Sequence, residues 1–186
     1  MKQGFLVGGM MIVLLGNAGC TIQPKRTALH DFGLEQAHSV QKKTAMMSVE
    51  APTWLWDNRI RYRLLYLAAT QVRFYGLDLW IASPPELFEQ YLLNNGSATA
   101  YPLVIRITDF EQQFDSPDQA RVVLRFSVDA YSPDHQHKLG TQSVNLEQRT
   151  KTPDAKGAID GFAQLIRLAA LTIKDWSVGL NPRIAD

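Results

Sequence analysis

Alternation of apolar and polar positions with period two runs through the middle of this chain. Val122, Leu124, Phe126, Val128 and Ala130 alternate with Val123, Arg125, Ser127, Asp129 and Tyr131, the pattern of a strand buried on one face. Leu103, Ile105 and Ile107 alternate with Val104, Arg106 and Thr108, and Ile60, Tyr62 and Leu64 with Arg59, Arg61 and Arg63. Asp115-Ser116-Pro117-Asp118 and Ser132-Pro133-Asp134 are turn sequences, so Leu103 onward, Val122 onward and Leu139 to Thr150 form a three-stranded meander. Shorter strands are expected at Leu29 to Leu34, at Ala45 to Ala51 ahead of Pro52, and at Val72 to Tyr75, closed by Gly76. Glu35 to Thr44 is polar and reads as a surface loop.

The period changes to that of a helix twice. Ser83-Pro84-Pro85-Glu86 offers a capping serine, prolines for the first turn and a glutamate three residues on. Leu87, Phe88, Tyr91 and Leu92 then share one face until Asn94-Asn95-Gly96 ends the helix. After Thr152-Pro153, Ile159, Phe162, Ala163, Ile166, Ala169, Ala170, Ile173 and Trp176 recur at helical spacing to about Val178. The expected fold is α+β, a mainly antiparallel sheet with two helices packed on one face.

The first residues follow another rule. Lys2, then an apolar run from Phe5 to Leu15 broken only by glycines, then Gly16-Asn17-Ala18-Gly19-Cys20, compose a secretory signal too short to span a bilayer. Leu15 to Cys20 resembles the bacterial lipobox, with Ala18 and Gly19 small before the cysteine and Asn17 where an aliphatic residue is usual. The resemblance implies cleavage before Cys20, which then carries a diacylglycerol and an N-acyl chain. The plain alternative is a soluble thiol just beyond an ordinary cleavage site. Lipidation accounts for a lone cysteine in an oxidising compartment, and more than one acyl chain gives durable anchoring. Thr21, rather than Asp, after the cysteine implies the periplasmic face of the outer membrane, with the inner membrane as the alternative. Residues 1–19 are thus a signal, 20–28 a lipidated tether, 29–180 one periplasmic domain and 181–186 a tail.

Composition narrows the partners. Lys and Arg number 19 against 18 Asp and Glu, so no strongly basic face is expected and nucleic acid is excluded as a natural partner. No nucleophile elbow, phosphate loop or His-Glu-x-x-His is present. His135-Gln136-His137 with Asp134 reads as a solvated hairpin tip rather than a metal site. His30 and Asp31, adjacent on a strand, point to opposite faces and make no acid–base pair. Trp54, Trp56 and Trp80 are core or interface anchors by type. No catalytic, metal or cofactor residue is assigned.

Leu29-His30-Asp31-Phe32-Gly33-Leu34, Tyr75 through Trp80 to Ile81-Ala82-Ser83-Pro84, Thr108-Asp109-Phe110 and the Ile159–Trp176 helix occur here in one order. In that order, behind a lipobox, they resemble the ABC-type transport auxiliary lipoproteins, the group that includes PqiC (YmbA) and partners of MCE-domain lipid transporters. Leu29-His30 stands where many members carry two tyrosines. The resemblance implies a non-enzymatic, membrane-anchored accessory subunit of an envelope lipid transport system, bound to an MCE-domain protein with its ABC permease and able to self-associate. It implies a docking surface that includes Phe32, Tyr75, Leu79 and Trp80. Small lipidated α+β domains also serve as activators or assembly factors of periplasmic synthases and secretion pores, and a domain that itself holds a lipid would need an apolar cavity.

Overall fold

A computed structural model describes residues 26–33, 46–95 and 100–180. Cys20, the polar loop and the tail lie outside the described residues, as do most of the tether, Leu34 and Ala45. The strands are β1 (Ala28–His30), β2 (Met47–Glu50), β3 (Arg59–Leu64), β4 (Arg73–Trp80), β5 (Leu103–Ser116), β6 (Gln119–Tyr131) and β7 (Lys138–Arg149). The helices are α1 (Leu65–Ala68), α2 (Pro84–Asn94) and α3 (Ala155–Gly179), with a single 3₁₀ turn at Thr53–Leu55. No helix among the described residues is long and apolar enough to cross a membrane.

One seven-stranded sheet runs β1-β4-β3-β5-β6-β7, and β2 also pairs with β5. The α+β class and the antiparallel meander are as expected. The first half of the chain adds parallel pairings, β1 with β4 and both β2 and β3 with β5. β5 is long enough to take β2 at Leu103–Arg106 and β3 at Gln112–Phe114 along one edge.

Three elements differ from expectation. β1 begins at Ala28, inside the expected tether, and ends at His30 rather than Leu34. β4 does not stop at Gly76: it continues to Trp80, because β1 pairs with its second half and Arg59 of β3 sits opposite Leu79. α1, four residues without periodicity, has no counterpart in the sequence pattern.

α2 begins as its sequence dictates. The Ser83 amide and hydroxyl both donate to Glu86 Oε2, at 2.9 and 2.6 Å, and Leu87, Phe88, Tyr91 and Leu92 are buried. α3 is capped by Asp154, which accepts from the Gly157 amide at 2.8 Å and the Thr152 hydroxyl at 2.7 Å. Gly157 is required there, because a Cβ would lie 2.0 Å from the Thr152 carbonyl oxygen. At Gly161 a Cβ would lie 2.8 Å from Val122 Cγ2, which is how closely α3 approaches β6.

Both long helices cover the same face of the sheet. Beneath them lie Leu103, Ile105 and Ile107 of β5 and, after a bulge that resets the alternation, Phe110, Gln112 and Phe114. Phe110 stacks on Phe162 at 4.0 Å, and Trp80 meets the same ring edge-on at 5.9 Å.

The opposite face over β5, β6 and β7 is an ion-pair lattice. Arg63 Nε donates to both oxygens of Glu111, Arg125 reaches Asp109 and Glu147, and Arg121 reaches Glu147 and Asp115. Arg106 pairs with Asp129 and Glu50, and Lys138 with Asp129. Val123, fully buried, lies in register between Glu111 and Glu147 under the stems of these side chains.

Candidate docking groove

The end of β1 borders a concavity on the α3 side. Asp31 Oδ1 accepts from the Gly33 amide at 2.8 Å, and Gly33 has φ +83°, a left-handed conformation that glycine adopts without strain. This hook turns Phe32 down into the core, where its ring packs on Trp80 at 5.1 Å and Phe110 at 5.8 Å. His30 stays on the helix side, its Nε2 3.0 Å from Asp78 Oδ1. The Ile81 amide donates to the His30 carbonyl at 2.8 Å and ties β1 to the exit of β4.

Between this hook and α3 runs an open groove of about 510 Å³. Leu29, Phe32, Ile81, Ile159 and Ala163 give it apolar surface, and Ile81 is 61% exposed. Lys151, Asp160, Gln164 and Arg167 supply the polar part. Asp160 is engaged by Lys156 Nζ at 2.6 Å, and Gln164 bonds to Gln148 of β7. Apolar surface bordered by polar groups is how a recognition groove combines burial with orientation.

The four residues expected on the docking surface fall in three places. Phe32 and Trp80 are 3% and 1% exposed, so both rings are core anchors; Phe32 also borders the groove, and Trp80 does not. Tyr75 is half-buried and donates to Gln112 Oε1 at 2.7 Å. Burial pushes the Tyr75 hydroxyl well above its usual range, with Tyr62, Asp154 and Asp78 adding to the effect, so it is a structural tie. Leu79, half-buried, faces away from α3, beside Leu29 and Arg59. The exposed apolar side chain next to Trp80 is Ile81. Lys151, Ile159, Ala163 and Arg167 were not singled out by sequence as site residues. Their only signal is that Ile159, Ala163 and Arg167 recur every fourth residue along one flank of α3.

His30 and Asp31 diverge, each with a different partner. Asp134 accepts from Ser132 Oγ and from the Gln136 amide, and His135 takes a φ of 60° at the hairpin tip. No group of three or more His, Cys, Asp or Glu is placed to hold a metal among the described residues.

The fold and groove define a class: one sheet, helices on a single face, and a cleft where the N-terminal edge strand meets the closing helix. In fold, the chain is similar to a Xanthomonas campestris protein of family DUF330, at a TM-score of 0.63 and 12% identity. That match covers 83% of this chain and 92% of the other. A second crystal structure, of an uncharacterized protein, matches with a TM-score of 0.60 and 14% identity over 81% of this chain and 98% of its own. At these identities the likeness is one of fold alone. No family model and no curated protein matches the chain.

Proposed function

We propose that this chain is a membrane-anchored periplasmic lipoprotein, a non-catalytic accessory subunit of an ABC/MCE-type envelope lipid transport system. One observation carries the reading: the groove is built on β1, the first element after the tether. Seven residues, 21–27, lie between Cys20 and Ala28, and the eight steps from one to the other span at most about 28 Å. A partner seated between β1 and α3 is therefore held near the bilayer that bears the acyl chains, and its effective concentration there rises without any further contact. The groove's open, mixed lining suits a protein segment better than an enclosed lipid.

Two versions of the protein test this in intact cells: the wild type and Ala163→Arg, which fills the groove. Each is crosslinked, solubilised gently and recovered through a C-terminal tag. An MCE-domain protein with an ABC permease is expected with the wild type and is expected to be lost with Ala163→Arg. Recovery of a cell-wall synthase or a secretin, with no transporter subunit, would move the protein to the activator and assembly class.

A further inference from the structure

The sheet face turned away from α3 carries a second surface, across β1, β4 and β3, that meets the groove only at its rim, at Leu29. Register sets Leu29 beside Leu79 and Leu79 beside Arg59. The Arg59 guanidinium lies over the Phe74 ring at 3.7 Å, and Arg61 lies over Trp54 at 5.0 Å and Phe74 at 5.3 Å. Leu29 is 59% exposed, Trp54 45% and the neighbouring Trp56 47%.

Charge on this strip is unbalanced where the rest of the face is balanced. Arg106, Arg121 and Arg125 each have a carboxylate of the lattice. On the strip a single carboxylate, Asp57, serves both Arg59 and Arg61, at 2.7 and 2.8 Å; Arg61 is buried, so Arg59 is the guanidinium of the pair that faces outward. Arg26, where the described chain enters β1, is exposed and makes no ion pair among the described residues. Asp31 turns its carboxylate to the Gly33 amide.

From this we infer that the Leu29–Leu79–Arg59–Phe74–Trp54 strip rests on the surface of the anionic bilayer that holds the Cys20 acyl chains. The inference depends on the lipoprotein reading above. The tether allows only about 28 Å, and Leu29 lies one residue beyond the point where it joins the sheet. Tryptophan and arginine stacked on aromatic rings suit the headgroup level, where one side of a ring is wet and the other is not. Exposed leucine adds apolar contact, and uncompensated guanidinium charge is attracted to anionic headgroups. A domain held this way has a set orientation, with α3 and the groove turned away from the bilayer toward a partner.

The test uses the full lipidated protein, reconstituted into vesicles of phosphatidylethanolamine and phosphatidylglycerol with brominated or unmodified acyl chains. Mass and flotation report the anchor, and bromine quenching of tryptophan fluorescence reports docking. Quenching is expected in wild type and should fall by roughly half or more in Trp54→Phe/Trp56→Phe, since Trp80 is buried, Trp176 is on α3, on the side turned from the bilayer, and only interfacial tryptophans approach the bromines. Arg26→Glu, at an exposed position outside the groove that leaves every tryptophan in place, is expected to reduce quenching while the melting temperature holds. Protein that floats but is not quenched, or is quenched equally in the tryptophan variant, overturns docking and leaves the anchor standing. Crosslinks between copies through Trp54 in place of quenching would also overturn it. Protein without acyl mass that does not float overturns the lipoprotein reading and this inference with it.

Discussion

The two faces of the sheet hold the molecule together by different physics. Under α2 and α3 the contacts are rings and branched apolar side chains: Phe32, Trp80, Phe110 and Phe162 form one cluster, and Phe88 meets Phe126 edge-on at 5.8 Å. On the other face, over β5, β6 and β7, the contacts are guanidinium–carboxylate pairs around a single fully buried valine, Val123. Burial of apolar area scales with the area removed from water, whereas partly exposed ion pairs each contribute about 1 kcal/mol or less. The first face carries the stability. The second covers an uncapped sheet with side chains that keep it soluble and in register.

Breaking the aromatic cluster tests that division most severely. Phe162→Ala removes a ring that is 1% exposed and stacks on Phe110, and should cost about 3–5 kcal/mol by chemical denaturation. A loss below about 1 kcal/mol would show that the cluster is not the centre of the core. Gly161→Leu probes the same face by crowding it. With Val122 Cγ2 only 2.8 Å from where the new Cβ would sit, α3 must move off β6, at a cost of about 1–3 kcal/mol.

Acid sharpens the other side of the comparison with a smaller effect. Burial works to raise Asp129, but hydrogen bonds from Lys138, Thr141 and Arg106 outweigh it and hold the carboxyl at about 2. A carboxylate lowered on folding adds stability above its unfolded value, and that stability is lost as pH falls through the folded one. The denaturation midpoint should therefore drop between about pH 4 and about 2. Asp129→Asn should flatten that part of the profile, leaving the remaining slope to Asp57, which Arg59 and Arg61 also hold at about 2 against the effect of burial, and to the other lowered carboxyls, Glu86, Asp118, Asp134 and Asp154. Equal slopes in the variant and the wild type would remove Asp129 from the account.

Sequence revealed the features whose causes are local. Ser83 and Glu86 cap α2 through contacts three residues apart, and β5, β6 and β7 announce themselves by alternation because each has one covered face. It was silent where a distant segment decides. Gly76 reads as a stop, yet β4 continues because β1 pairs with Asp78, Leu79 and Trp80. Trp80 reads equally well as an anchor at a surface or in a core, and the choice is made by Phe162, far along the chain on α3. The groove was hidden for the same reason, since β1 and α3 come from opposite ends of the domain and meet only when the sheet is complete.

The short edge strand has a mechanical meaning as well. β1 pairs with β4 at only three register positions, and any pull arriving from the N-terminal side reaches the domain through it. Three paired residues would peel readily, but the Asp31–Gly33 hook behind them sinks Phe32 between Trp80 and Phe110. That ring acts as a rivet. Tension on the leading segment that peels the edge strand meets this ring next, and must draw it out of the core before the rest of the domain is loaded, so the strength of the attachment is set by one phenylalanine.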